Sequence, residues 1–152
     1  MADAHAHDHP HPHQVEDVTP QVNFLSARPI LNVTDLAASL DYYCLTLGFG
    51  QDWTWSDSRQ FGGGAPPAVA QVRRGRCVLI LAQGEQGHPG TWVYLDLETL
   101  PDLETLYQEY RQAGARIVEP PSDRAWGVRE MRVQDPDTHT LRIAAPLAYG
   151  RE

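Results

Sequence analysis

Residues 28–49 read RPILNVTDLAASLDYYCLTLGF, and this stretch joins a strand signal to a helix signal. Apolar residues alternate up to Val33, as they do in a strand with one buried face. Large apolar residues then recur at the spacing of one helix face: Leu36, Leu40, Tyr43 and Leu47. Asp35 or Thr34 supplies the N-cap, and Gly48 ends the helix because glycine adopts the left-handed conformation at little cost.

The same order of signals occurs again later in the chain, with Leu97 in the place of Val33. The strand TWVYLDL precedes the helix pattern TLPDLETLYQEYRQAGA, which has Pro101 in its first turn and Gly114 at its end. Further strand candidates follow each helix: residues 52–56, 68–72 and 76–83, then 116–121, 129–134 and 138–145. We predict an α+β fold of two tandem β-α-β-β-β modules, which form a cup-shaped mixed sheet with helices on the outer face.

The composition restricts the class of protein. A chain of 152 residues suits one domain, and no apolar run approaches the roughly 20 residues that a membrane span needs. The N-terminus lacks the basic and apolar segments of a secretory signal. The formal net charge is −8, and no basic patch argues for nucleic acid. We expect a cytoplasmic protein with neither a membrane nor a nucleic-acid partner.

Residues 1–20 form a histidine-rich segment with almost nothing apolar to bury, and we predict that this tail is disordered. Imidazoles at alternate positions can chelate Zn or Ni, so metal handling by the tail is one hypothesis. A solvated tail with only weak metal affinity is the other. The histidines concerned are His5, His7, His9, His11 and His13.

Strand side chains alternate in direction, so each predicted strand divides into two sets of residues. One set is apolar, as the face under a helix should be. The opposite set mixes rings with charged and polar groups, which is typical of a ligand cavity, although such a face can also meet water. Its candidate ligand-binding residues are Arg28, Asn32, Trp92, Tyr94 and Arg142.

The opening stretch, together with WGVREMRVQDPDTHTLRI at 126–143, resembles the vicinal oxygen chelate superfamily of glyoxalases, bleomycin resistance proteins and dioxygenases. The resemblance covers residues 24–147, which we take as the domain. It implies paired modules that close a cup, often in a dimer, so we expect a homodimer. Rings near the rim of that cup stack on planar ligands in the superfamily, which adds Trp55 and Trp126 to the candidate ligand-binding residues.

In metal-dependent members of the superfamily, His, Gln or Glu side chains hold an ion in the cup. The resemblance places those positions at Arg28, Ile80, Trp92 and Arg142, and none of these side chains has a lone pair to give a metal. Arg142, with Pro29 after the first position, looks like the bleomycin-resistance branch, whose members sequester a drug. The resemblance therefore implies a metal-free binding protein for an aromatic or heterocyclic ligand, without cofactor or catalytic residues, and antibiotic resistance as a candidate role.

Two alternatives to this interpretation remain open. A register error would make His88, together with Glu130, a displaced ligand pair of a metal-dependent glyoxalase- or dioxygenase-type enzyme. Alternatively, the histidine tail would be the functional part and the domain a scaffold. Of the other reactive side chains, His139 lies in the Asp-Pro-Asp turn, where we expect a solvated residue. Cys44 and Cys77 fall on predicted buried faces, where thiols are usually inert.

Overall fold

The structure is a computed structural model that describes residues 21–56 and 66–147. The predicted disordered tail at 1–20, with its histidines, lies outside the described residues. The helices are α1 (Leu36–Asp41) and α2 (Leu100–Ala113). The strands are β1 (Ile30–Val33), β2 (Gly50–Trp55), β3 (Val69–Arg74), β4 (Cys77–Gln83), β5 (Trp92–Asp96), β6 (Arg116–Asp123), β7 (Val128–Gln134) and β8 (Thr140–Pro146).

The strands form two four-stranded sheets with the same topology, ordered β1-β4-β3-β2 in module 1 and β5-β8-β7-β6 in module 2. In each sheet the first strand runs parallel to the last, and the other pairs are antiparallel. A helix links the first strand of each module to the second, which lies at the opposite edge of the sheet. These sheets confirm the predicted α+β fold of two tandem β-α-β-β-β modules.

Both helices begin and end where the sequence signals predict, but the first is not regular throughout. Asp35 caps α1 by accepting a hydrogen bond from the Ala38 N–H at 3.2 Å. The chain then widens into a π-helical turn over Tyr42–Thr46 before Gly48 leaves the helix with a φ of 77°. The three- and four-residue spacing of apolar residues predicts a helix but does not reveal this wider turn, which is rare and concentrates at functional sites.

The core lies between the helices and the sheets, and residues of both modules share it. Alternate residues of the inner strands are fully buried on this side, which confirms the predicted core face. The largest contributors are Leu31, Tyr43, Leu47, Leu79, Leu81, Leu103, Tyr110, Met131, Leu141 and Ile143. No helix among the described residues is long and apolar enough to cross a membrane. The opposite side of each sheet, which we call its open face, points away from this core.

The π-helical turn holds the modules together through consecutive tyrosines. The Tyr42 hydroxyl donates to the Gln134 carbonyl at 2.6 Å and accepts from the Arg116 N–H at 2.9 Å. The Tyr43 hydroxyl donates to the Asp135 carboxylate at 2.9 Å. Burial raises the pKa of both tyrosines, so both hydroxyls stay protonated and able to donate near neutral pH.

The Asp-Pro-Asp turn at 135–139 makes the complementary contacts from module 2. The Asp137 carboxylate accepts from the Thr34 hydroxyl at 2.6 Å. The expectation of a solvated His139 is wrong, because its side chain is fully buried. Its Nδ1 accepts from the Thr91 N–H at 2.9 Å, so Nε2 carries the proton and donates to the Asn32 carbonyl. The imidazole therefore bridges β1 to the start of β5.

Candidate functional site

A buried carboxylate organises the open face of module 2. Glu130 on β7 is 0% exposed, and Arg142 donates to both of its oxygens at 2.9 Å. Arg132 donates a third hydrogen bond through Nε, also at 2.9 Å. Burial acts to raise the pKa of Glu130, but the hydrogen bonds from the two arginines outweigh it and lower that pKa overall. Glu130 is therefore an ionised group whose charge is compensated inside the protein.

Strand register explains why these groups meet. Glu130 lies opposite Ala144, and Arg132 lies opposite Arg142, so all four residues share the open face. Because alanine has no side chain beyond Cβ, Arg142 can cross the position of Ala144 to reach Glu130. Glu119 on β6 extends the cluster, with its carboxylate 3.4 Å from the nearest guanidinium nitrogen of Arg132.

Aromatic rings lie against the arginines of this cluster. The Arg142 guanidinium carbon is 5.0 Å from the centre of the Tyr94 ring and 5.7 Å from that of Trp126. Arg132 lies in the same way 5.3 Å from the Trp92 ring. These distances are those of cation–π contacts. Trp92 and Trp126 nevertheless remain 57% and 58% exposed, so much of their ring surface is open to a ligand.

The open face of module 1 carries a different polar network, built around an amide. Arg28 donates to the Gln71 side-chain oxygen at 2.6 Å, and the Gln71 amide nitrogen donates to Asp52 at 2.8 Å. Arg73 donates to the same Asp52 oxygen at 3.0 Å. The hydrogen bonds from Gln71 and Arg73 lower the pKa of Asp52, which stays ionised at neutral pH. Arg28 itself contacts an uncharged partner, the side-chain amide of Gln71.

The structure divides the residues predicted from sequence between the two open faces. Asn32 donates to the carbonyls of Gly84 and Gln86, at 2.7 and 3.0 Å, and so anchors the loop that follows β4. Trp55 on β2 is 52% exposed. Module 1 thus carries Arg28, Asn32 and Trp55, and module 2 carries Trp92, Tyr94, Trp126 and Arg142.

The positions that the resemblance assigns to metal ligands hold hydrogen-bond donors or an apolar group instead. Arg28 and Arg142 both donate to neighbouring side chains, and a guanidinium has no lone pair for a cation. Ile80 and Trp92 have no ligand atom either. These side chains do not fit a divalent ion. Over residues 21–56 and 66–147, no group of three or more His, Cys, Asp or Glu residues is placed to hold a metal.

Sequence reasoning did not identify Gln71 and Arg132, or their neighbours Asp52, Arg73 and Glu119, as members of these networks. Gln71 and Arg132 each lie on an inner strand, directly opposite a predicted position: Gln71 opposite Ile80 and Arg132 opposite Arg142. The alternation along β3 and β7 was a usable signal for both. The sequence offers Glu130 both as a displaced metal ligand and, with Asp96, as a counter-charge for Arg28 and Arg142. In the structure both of its oxygens accept hydrogen bonds from Arg142.

The chain matches one family model and resembles a set of solved structures. A family model described as the Glyoxalase/Bleomycin resistance protein/Dioxygenase superfamily matches residues 21–143. TioX from Micromonospora sp. ML1 is 21% identical, with a TM-score of 0.65 over 80% of this chain and 99% of its own. A bleomycin-binding protein from Streptomyces verticillus, solved with copper(II)-bleomycin, is 25% identical, with a TM-score of 0.63 over 82% and 98%. No curated protein matches the chain.

Proposed function

The chain belongs to the Glyoxalase/Bleomycin resistance protein/Dioxygenase superfamily, and on this basis we propose that it is a metal-free small-molecule-binding protein. It sequesters a planar aromatic or heterocyclic ligand in the cytoplasm without changing it and without a cofactor. One observation carries the proposal: the rings of Trp92, Tyr94 and Trp126 lie against arginines that are fixed by the buried Glu130.

This arrangement favours stacking over catalysis. A guanidinium behind each ring fixes the ring in place, so a planar ligand meets a surface with little side-chain freedom left to lose. Each aromatic contact then contributes about 0.5–1.5 kcal/mol beyond the area it buries. The residues at the metal positions supply donors and an apolar wall. The similarity to a bleomycin-binding protein supports small-molecule binding on this fold.

A homodimer is part of the proposal. Large apolar side chains are exposed on both open faces, with Trp55 at 52% and Trp92 at 57%. Exposed rings on this scale favour burial against a ligand or another protein surface. A second copy that covers one open face with the other would place Arg28, Asn32 and Trp55 of one protomer near the stacked rings of its partner.

The test is a tryptophan-fluorescence titration of the full chain with a panel of planar heterocycles that includes cationic, neutral and anionic members. We expect at least one ligand to bind saturably and to be recovered unchanged by mass spectrometry. Trp126→Leu should weaken its binding by about tenfold, because a stacked ring and its area are lost. Tyr107→Leu is the matched control, since it removes a ring that contacts Arg111 on α2.

Three results would contradict the proposal. The first is a panel without any saturable binder, and the second is equal weakening by Trp126→Leu and by Tyr107→Leu. The third is one metal ion per chain in protein that lacks residues 1–20, measured by elemental analysis after incubation with Zn, Ni, Fe and Mn.

A further inference from the structure

Two cavities adjoin at the turn between β3 and β4, and Tyr94 is the one residue that the larger of them shares with the described cluster around Glu130. The larger has a volume of about 820 Å³ and lies between the modules. The smaller has a volume of about 480 Å³ and lies over the open face of module 1. Ala27, Gly75, Arg76 and Val78 line both cavities, so the two share a wall at this edge.

The larger cavity has mainly apolar walls. Leu79 of β4 lies on the module 1 side, Val93 and Leu95 of β5 on the module 2 side, and Leu106 of α2 over them. Val93, Leu95 and Leu106 are only partly buried, although they pack against the core. The volume lies in the range of about 300–1,000 Å³ that is usual for small-molecule sites. A bound apolar group would complete the burial of these side chains.

The smaller cavity is cationic in a protein whose net charge is −8. Arg28, Arg73 and Arg76 line it, and its lining within the described residues includes no carboxylate. Arg73 is compensated by Asp52, which lies beside the cavity. Arg28 contacts the uncharged Gln71, and Arg76 has no hydrogen-bond or ion-pair partner in the part of the chain that the structure describes. Two guanidiniums are thus left without a direct counter-charge.

Arg74 shows how a structural arginine of the same hairpin differs. It lies between Arg73 and Arg76 in sequence, on the opposite side of β3 from Arg73. It donates to both carboxylate oxygens of Glu109, at 2.6 and 3.0 Å. That ion pair lowers the pKa of Glu109. The hairpin therefore pairs its core-side arginine with a carboxylate and leaves Arg76 available.

We propose that the two cavities form one site for an amphiphilic organic anion, which extends beyond the function proposed above. The carboxylate or phosphate of the ligand lies against Arg28, Arg73 and Arg76, and its apolar body extends between the modules. The site shares Arg28 and Tyr94 with the residues predicted from sequence but uses none of Trp92, Trp126 or Arg142. It selects a ligand with negative charge at one end only, because the cationic cavity adjoins one that is mainly apolar and is also lined by Asp96, Asp102 and Glu109.

The test is isothermal titration calorimetry of the full chain with hexanoate, octanoate and decanoate, each below its micelle concentration. We expect affinity to rise about fourfold per buried methylene, because each contributes about 0.8 kcal/mol. Arg76→Gln should weaken all three ligands by about tenfold, because a charge-assisted hydrogen bond is lost. Arg111→Gln removes an equal charge from α2 and should leave all three affinities unchanged.

Other results would overturn the inference. Equal affinity along the series would exclude the apolar cavity, and equal binding of 1-octanol and octanoate would exclude the arginines. Absence of alkanoate binding, in a chain that sediments as a dimer, would indicate that a second copy fills the space. These failures are distinct from failure of the proposed function, because Arg76→Gln should not alter heterocycle binding at Trp126.

Discussion

The two modules share strand order and register but carry different chemistry on their open faces. Gln71 on β3 lies opposite Ile80, and the corresponding pair in module 2 is Arg132 opposite Arg142. Module 1 therefore joins its charges through an amide, in the chain Arg28–Gln71–Asp52. Module 2 gathers its arginines around a carboxylate that is fully buried.

The two networks differ in how far their side chains are exposed to water. In module 1 the side chains of Arg73 and Asp52 are 48% and 28% exposed, so water can replace a lost partner. In module 2 the side chains of Glu130 and Arg142 are 0% and 27% exposed, so water cannot fully replace a lost partner there. Removal of one partner from a buried charge cluster leaves the others uncompensated. Although the two sheets share the same topology, we therefore expect mutation of the module 2 network to cost more stability than mutation of the module 1 network.

The largest effect should come from Glu130→Gln. The substitution preserves shape but removes the charge that compensates Arg142 and Arg132, so we expect the free energy of unfolding to fall by about 3–5 kcal/mol. Urea denaturation followed by circular dichroism measures it. Glu104→Gln on the exposed side of α2 is the matched control and should change stability by less than about 0.5 kcal/mol. A loss below about 1 kcal/mol would show that the cluster is not a unit.

A smaller effect should appear as acid sensitivity. The pKa of Glu130 is lower in the folded protein than its ordinary value, so its stabilising contribution is complete above that ordinary value. The contribution is lost as the pH falls through the folded pKa. The loss of stability on acidification is smaller than that caused by the substitution, because the lowered pKa keeps part of the Glu130 population ionised at acid pH. Unfolding measured from pH 7 to pH 3 should therefore converge for the wild type and Glu130→Gln as the pH falls.

The comparison with Glu130→Gln isolates this group from another buried carboxylate. Burial raises the pKa of Asp135, despite hydrogen bonds from Tyr43 and from two backbone N–H groups. Its protonation favours the folded state, which is the opposite sign to Glu130. Asp135 is present in both proteins, so its contribution cancels in the difference. A constant gap between the two proteins at every pH would contradict the assignment to Glu130.

The sequence predicts the fold better than it predicts the contacts on the open faces. The helix cap at Asp35, Pro101 in the first turn of α2 and the glycine ends at Gly48 and Gly114 are local signals, and each acts where it was predicted to act. The core face follows from alternation alone. The register between β7 and β8 depends on tertiary pairing, so the convergence of Arg142 on Glu130 could not be derived from spacing within one strand.

Contacts between the modules were predicted least well. His139 looked like an ordinary turn residue, because nothing in its sequence surroundings marks the Asn32 carbonyl as its partner. That carbonyl lies in the other module, far away along the chain. The π-helical turn was missed for a similar reason, since Tyr42 and Tyr43 act on Gln134 and Asp135 across the same boundary. Local sequence propensities do not describe contacts between residues that are far apart along the chain.

The smallest of these effects should come from Gln71→Leu, which tests module 1. The change removes the amide between Arg28 and Asp52, but both charged groups reach water, so we expect a loss of about 1 kcal/mol in the free energy of unfolding. Gln112→Leu on α2 is the control for placing leucine at a glutamine. Urea denaturation of both variants, beside Glu130→Gln, gives the comparison directly. If Gln71→Leu cost as much as Glu130→Gln, exposure would not explain the difference between the modules. The amide would then be as essential to its sheet as the buried carboxylate is to the other.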